Sequence, residues 1–391
     1  MNGFFNASVA HSKAIPSLVP RCGLCRLLKA CQTPKMASYG QGKLRVLVVG
    51  DFPDKTEDEQ GRPFVGKAGQ FLRQKLREQG IDLDKDCWTT NALICRPPSN
   101  VIKDPKAISY CRPNLLETIK LYQPRVIVTL GRSALLSVLE PYWKDVGTME
   151  RWQGWRIPLG KFWLCPTYHP SYLLRSHDPM LDKMFSDHLE AAFSIEEPSP
   201  ASPDWSDKIE LLWDKDSVGR ALHDFDVEGG WLAVDYETNC LKPELEKAQI
   251  YSCAISNGKS TVSFLWSNAI AEMMGKFLSQ KHIKFIAANL KMEERWTRKV
   301  FGHGVANWQW DTMLAAHCLD NRPGICSLKF QLFVKMGVPV YNEAVEPYLK
   351  SDNGPYNRIH QIEHKTLLTY GGMDALGEYK LAMLQRKEMG L

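Results

Sequence analysis

Cys22, Cys25, Cys95 and Cys111 are the first residues along the chain whose type and spacing could do chemistry. Cys22 and Cys25 stand at CxxC spacing in "CGLC", while Cys95 and Cys111 bound the Pro-, Arg- and Asn-rich "CRPPSNVIKDPKAISYC". Four thiolates are enough to close a tetrahedral metal site or to hold a four-iron cluster. Spacing alone does not choose among iron–sulfur, zinc and unligated thiols. A metal centre here would pin the amino-terminal segment to the loop after a strand. Cys31, Cys87 and Cys165 are left over and are expected to be buried. With 11 cysteines, an odd number without a framework, disulfides are not expected in a reducing compartment.

A second constellation is acidic. "WLAVDYETN" places Asp235 and Glu237 two apart on an apolar strand, so their side chains face the same way. Two carboxylates on one sheet face are costly unless they hold cations. Glu293 follows another apolar run in "FIAANLKMEERW", and Asp311 opens a predicted helix in "WQWDTMLAAHCL", where a capping role is expected. Tyr370 and Asp374 in "YGGMDAL" are four apart on a predicted helix and therefore share a face. Such oxygen donors suit Mg2+ or Mn2+. Two ions about 4 Å apart are what phosphodiester hydrolysis uses.

These residues need elements to hold them. Before the Pro-rich "SIEEPSPASPDWSDK", apolar runs "LRVLVVG", "CWTTNALIC" and "PRVIVTLG" alternate with helical segments such as "GKAGQFLRQKLREQG" and "YCRPNLLETIKLYQ". Continuous apolar strands separated by helices predict a parallel sheet covered on both faces, an α/β/α domain over residues 1–193. The Pro/Ser-rich stretch 194–207 reads as a linker. After it, "KIELLW", "WLAVDYETN", "QIYSCAIS" and "STVSFLW" are strands close enough for a meander, with "IKFIAAN" and helices following. That order predicts a mixed sheet with helices on its faces over residues 208–391.

Composition narrows the function classes. The 391 residues are 44% hydrophobic and 24% charged, the balance of a globular protein. No window of about 18 apolar residues exists, so no membrane span is expected. The first 20 residues lack a continuous apolar core and read as a loose extension rather than a signal peptide, which predicts a cytoplasmic location. Residues 1–193 carry 27 Lys+Arg against 18 Asp+Glu, while residues 194–391 carry 22 against 26. A basic first half suits a polyanion partner, and an acidic second half is compatible with one when its carboxylates hold cations.

"CGLC", "GRPFVGKAG", "TNALICRPP", "VIVTLGRSA" and "HPSYLLR" occur in that order across residues 22–190, and together they resemble the family 4 iron–sulfur uracil-DNA glycosylases. The resemblance implies that Cys22, Cys25, Cys95 and Cys111 ligate a [4Fe–4S] cluster. It also implies a uracil pocket in a domain that flips the base from DNA. In that pocket Phe64 would stack on the pyrimidine, and the Asn91 amide would donate to O4 and accept from N3–H. Cytosine reverses both roles. His169 would donate to O2 as negative charge grows on the leaving uracil. Asp51, in "GDFPD", stands where the family carries a glutamate, and would steady the cationic sugar or orient water. Asp54 replaces a family glycine, and its charge is expected to oppose phosphate binding.

Asp235, Glu237, Glu293, Tyr370 and Asp374 resemble the DEDD-type 3′–5′ proofreading exonuclease domain of family A DNA polymerases, an RNase H-like fold. The resemblance implies that Asp235, Glu237, Glu293 and Asp374 bind divalent cations and that Tyr370 positions the attacking water. The order of the two modules resembles the front end of some phage replication polymerases, where they precede a family A polymerase domain. The chain closes soon after Asp374, so a separate family A DNA polymerase is an expected partner, beside uracil-containing DNA and single-stranded 3′ ends. The alternative is a catalytically silent, cluster-pinned DNA-binding module attached to the exonuclease.

Overall fold

The computed structural model describes residues 22–351 and 354–391, and the expected amino-terminal extension lies outside them. The chain divides into two compact units between Ser202 and Pro203, inside the Pro-rich stretch. Ile195 packs into the core of the first unit and Trp205 into that of the second.

The first unit is built on a five-stranded sheet in the order β2-β1-β3-β5-β4. Its strands are β1 (Val46–Gly50), β2 (Cys87–Asn91), β3 (Val126–Leu130), β4 (Ile157–Pro158) and β5 (Trp163–Thr167). β2, β1, β3 and β5 are parallel, and only the two-residue edge strand β4 runs antiparallel. Every residue of β1 and β3 is buried, as expected of central strands covered on both faces. The flanking helices are α1 (Lys55–Gln60), α2 (Lys67–Glu78), α3 (Lys106–Tyr122), α4 (Arg132–Leu139), α5 (Pro170–Ser176) and α6 (Pro179–Phe193). The chain leaves β1 for β2 on one side and returns to β3 on the other. That reversal opens a crevice at the carboxyl end of β1, where open α/β sheets bind ligands.

The second unit carries a six-stranded mixed sheet in the order β11-β10-β7-β8-β9-β6. It comprises β6 (Glu210–Leu212), β7 (Gly230–Thr238), β8 (Ile250–Ser256), β9 (Thr261–Leu265), β10 (Ile283–Ala287) and β11 (Trp308–Asp311). β7, β8 and β9 form an antiparallel meander, but β6, expected as its first strand, is cut off from β7 by a helix and joins β9 in parallel, while β10 and β11 add in parallel beyond β7. Helices α7 (Lys215–Glu228), α8 (Asn268–Leu278), α9 (Lys291–Phe301), α10 (Thr312–Leu319), α11 (Leu328–Met336) and α12 (His364–Glu388) accompany it. Strand β11 escapes the sequence analysis because "WQWD" is short and flows directly into α10.

Alternation along β7 decides where chemistry can happen. Leu232, Val234 and Tyr236 point into the larger core with Phe285 and Trp296. Ala233, Asp235 and Glu237 therefore face the opposite side, where α12 packs across β7, β8 and β9. Gly371 brings that helix close, since a Cβ there would lie 3.5 Å from Glu237 Cγ. Among the described residues, no helix is long and apolar enough to cross a membrane.

Candidate active sites

Four sequence-distant residues converge in the crevice of the first unit. Asp51 follows β1, Asn91 ends β2, His169 follows β5, and Phe64 lies between α1 and α2. All four line one cavity of about 530 Å3, together with Lys67 and Arg175. Gly50 makes the convergence feasible: a Cβ there would lie 2.4 Å from Asn91 Oδ1 and 2.9 Å from Phe64 Cζ. Phe64 itself adopts φ 58, a left-handed backbone rarely taken by a bulky residue. Such strain persists only where the surroundings enforce it, and it collects at ligand clamps.

The electrostatics of Asp51 and His169 follow from burial. Asp51 accepts the Ala134 N–H at 3.0 Å near the start of α4, yet burial pushes its carboxyl above the ordinary range, with the His169 charge opposing that shift. Burial holds His169 below the usual imidazole range. His169 caps α5, and its Nδ1 accepts the Ser171 N–H at 3.2 Å with the Ser171 hydroxyl at 2.8 Å. An accepting Nδ1 places the proton on Nε2. The ring is thus a neutral N–H donor, suited to a developing anion.

Asp54 lines the same cavity, and its carboxylate is tied to backbone. It is the N-cap of α1, accepting from Glu57 N–H at 2.8 Å, while Glu57 Oε2 accepts from Asp54 N–H at 2.8 Å. This reciprocal capping box anchors the carboxylate to backbone, and Gly66 leaves room for it, since a Cβ there would lie 1.9 Å from Asp54 Oδ2. Glu57 behind it is pushed up to about 7 by burial. Phe52 packs with Leu93, Ala107 and Ile108 beside the cysteine loop and also lines the crevice cavity.

Cys22, Cys25, Cys95 and Cys111 line a common cavity. Cys111 sits on α3, and Cys95 lies in the turn after β2. Cys95 Sγ accepts the Lys35 N–H at 3.2 Å, and Asn114 Nδ2 lies 3.7 Å from Cys111 Sγ. N–H donors aimed at sulfur suit thiolates that carry charge. Burial pushes the Cys95 thiol up to about 12 and the Cys111 thiol up to about 11. Deprotonation there calls for a bound cationic centre, and the all-sulfur donor set fits soft iron or zinc. Cys87 and Cys165 are buried as expected, but Cys31 is only partly so. It neighbours Cys95 closely enough to share a hydrogen bond and raise that thiol's pKa, a proximity invisible in spacing.

In the second unit Asp235, Glu237 and Asp374 offer carboxylate oxygens within 4.8 Å of one another. Burial pushes Asp235 up to about 7 and Glu237 well above the carboxylate range, with the Asp374 charge adding to both shifts. Asp235 Oδ2 is buried without a hydrogen-bond partner. An unpaired buried carboxylate oxygen beside two further acids fits a hard divalent cation. Glu293, expected as a fourth ligand, is not one of the three. It is buried at the start of α9 with Oε2 unpaired, near enough to Asp235 to raise its own pKa. Asp311 is a cap, accepting from Met313 and Leu314 N–H groups and also from Asn289 and Leu290. It thereby fixes the turn that delivers Glu293.

Three residues at this site went unnoticed in the sequence. Lys329 Nζ donates to Tyr370 Oη at 2.8 Å and to Asp374 Oδ2 at 2.6 Å. Tyr341 donates to Asp374 Oδ1. Glu378, one turn beyond Asp374, accepts the Ala288 N–H at 3.1 Å. Only the i+4 step from Asp374 to Glu378 left a sequence signal. Tyr341 and Tyr370 also border a cavity of about 290 Å3 that includes Lys365 and Thr366.

The model of the uracil DNA glycosylase superfamily matches residues 37–193. A type-4 uracil-DNA glycosylase of Thermotoga maritima is 36% identical over 178 residues, which cover 45% of this chain and 90% of that relative. The chain belongs to the type-4 uracil-DNA glycosylase family. It extends beyond that domain, and a DNA polymerase of Bacillus phage SP01 is 25% identical over 327 residues, covering 75% of this chain and 34% of the polymerase. Among solved structures, Escherichia coli RNase D is similar over 46% of each chain at 13% identity and TM-score 0.35. Within this type-4 glycosylase, the crevice at the end of β1 lies inside the matched segment, and the three-acid cluster lies outside it.

Proposed function

We propose that the protein is a bifunctional DNA hydrolase that excises uracil with its first unit and trims 3′ ends with its second. The observation that carries the first activity is the convergence of Asp51, Phe64, Asn91 and His169 on one cavity. Phe64 stacks on the flipped uracil, and Asn91 pairs with O4 and N3–H. His169 Nε2–H donates to O2 as the N1–C1′ bond breaks and its electron pair moves onto the base. Asp51 stabilises the cationic sugar and orients the water whose oxygen joins C1′. Lys67 and Arg175, at the same cavity, suit the flanking phosphates.

Cys22, Cys25, Cys95 and Cys111 would hold a [4Fe–4S] cluster, supported by their shared cavity and family membership. The cluster would serve as a clamp between residues 22–25 and the loop ending at Cys111.

For the second activity, Asp235, Glu237 and Asp374 would hold Mg2+ or Mn2+, with Glu293 behind them. Bound ions supply Lewis-acid stabilisation of phosphate charge and a more acidic water. Tyr370 would position the attacking water at the terminal phosphodiester. The likeness to the phage DNA polymerase supports action in DNA replication or repair, and a separate family A polymerase would be the partner. Failure to co-purify with the polymerase of its host system would remove that partner.

Two assays test the reading. Wild-type protein should release uracil from a single-stranded uracil-containing oligonucleotide, and His169→Ala should not. Mn2+-dependent shortening of a 3′ end should disappear in Asp235→Ala. Binding without release by the wild type would leave the first unit a recognition module.

A further inference from the structure

The acid cluster already contains a cation. Lys329 extends from α11 so that its ammonium lies 2.6 Å from Asp374 Oδ2 and 2.8 Å from Tyr370 Oη. The same nitrogen stands over the Tyr370 ring at 4.8 Å and over the Tyr341 ring at 5.7 Å. Tyr341 donates to the other oxygen of Asp374. Both oxygens of Asp374 are thus engaged by hydrogen-bond donors, although Asp374 also belongs to the three-acid group. The side chain of Lys329 is 27% exposed and that of Asp374 6% exposed, so the pair is largely shielded from solvent. The rest of the cluster keeps unpartnered acid oxygens: Asp235 Oδ2, Glu293 Oε2 and Glu378 Oε2 are buried without hydrogen-bond partners.

We propose that Lys329 is a built-in counter-cation of the nuclease site, holding Asp374 and Tyr370 in place while competing with divalent ions for Asp374. The inference rests on the metal-dependent nuclease reading and assigns a residue that reading did not require. Two consequences follow from the geometry. An ammonium in contact with a ligand carboxylate repels an incoming divalent ion, so removing its charge tightens ion binding. The same ammonium fixes the Tyr370 hydroxyl, so removing it loosens the group that positions water and lowers turnover. A lysine that merely supported the fold would not produce this opposition, because loss of packing weakens binding and rate together. Lys329 is therefore a positioning residue, acting through Tyr370 and Asp374.

The test compares full-length wild type, Lys329→Met and Lys329→Gln by calorimetric titration with Mn2+ and by single-turnover trimming of a single-stranded oligonucleotide. Lys329→Met should bind Mn2+ about tenfold more tightly and trim at least about tenfold more slowly at saturating Mn2+. Lys329→Gln, which keeps a donor for Tyr370 without the charge, should show the same tightening with a smaller loss of rate. It also serves if the methionine variant does not fold. Unchanged or weaker Mn2+ binding in a folded variant, with the wild type binding normally, overturns the role of Lys329 alone. No Mn2+ uptake by any of the three proteins overturns the nuclease reading and this inference with it. Uptake only by the variants supports the competition directly.

Discussion

Asp51 and His169 face each other across Gly131: a Cβ at that glycine would lie 2.7 Å from Asp51 Oδ2 and 3.0 Å from His169 Cβ. Gly131 also has φ +94, outside the range comfortable for other residues. Gly131→Ala is therefore expected to push the acid and the imidazole apart. Uracil release should fall by about a hundredfold or more, the scale of a displacement near 1 Å. Mn2+-dependent trimming by the second unit should be retained, and a parallel assay of both activities checks this.

The shifts at this site predict a one-sided pH profile. The raised Asp51 carboxyl loses its charge on acidification earlier than an ordinary aspartate, while the depressed His169 stays neutral to lower pH than an ordinary histidine. Uracil release should decline on the acid side as Asp51 protonates, and the limb should move in Asp51→Glu. The sign for stability is the reverse. A carboxyl whose pKa is raised in the folded state contributes stability that is present below its unfolded pKa and lost as pH rises through the folded pKa. Asp51→Asn should abolish release yet raise the neutral-pH melting temperature of the first unit, read by calorimetry.

Asp54 is a structural residue. Removing its cap in Asp54→Ala should cost about 1 kcal/mol of stability, whereas Asp54→Gly, the residue typical of the family, should cost a few tenths. Asp54 lines the cavity with a carboxylate tied to the α1 backbone and takes no part in the proposed chemistry, so uracil release should stay within about threefold of wild type after allowing for the stability change. A hundredfold loss in either variant would return Asp54 to the chemistry.

Anaerobically purified protein should show the broad visible charge-transfer absorption of thiolate-bound iron. Cys25→Ser should reduce or abolish that absorption and lower the melting temperature of the first unit, because a ligand binding only the folded state stabilises it. Zinc content in place of iron, measured by elemental analysis, would reassign the centre.

Asp235→Asn removes one negative charge from the three-acid group. Trimming should fall by at least about a thousandfold, as expected when several kcal/mol of charge stabilisation disappear. Saturating Mn2+ should raise the melting temperature of the wild type, and Asp235→Asn should lose most of that rise.

Much of this was legible along the chain. Period-two alternation put Asp235 and Glu237 on one face, and a four-residue step did the same for Tyr370 and Asp374, because both repeats are properties of local backbone geometry. The parallel sheet followed from continuous apolar runs that only a strand covered on both sides tolerates. What stayed hidden depends on distant segments meeting. Lys329 joins residues 41 and 45 positions away, and nothing in "SLKFQLF" marks it as other than a surface lysine of an amphipathic helix. Cys31 beside Cys95 and the inward cap of Asp54 are likewise products of packing. Residue type and spacing determined which groups could act and which side of each element they occupy. Tertiary structure decided which of those groups share a space, because charge, hydrogen bonding and burial act over a few ångströms of space whatever the separation along the chain.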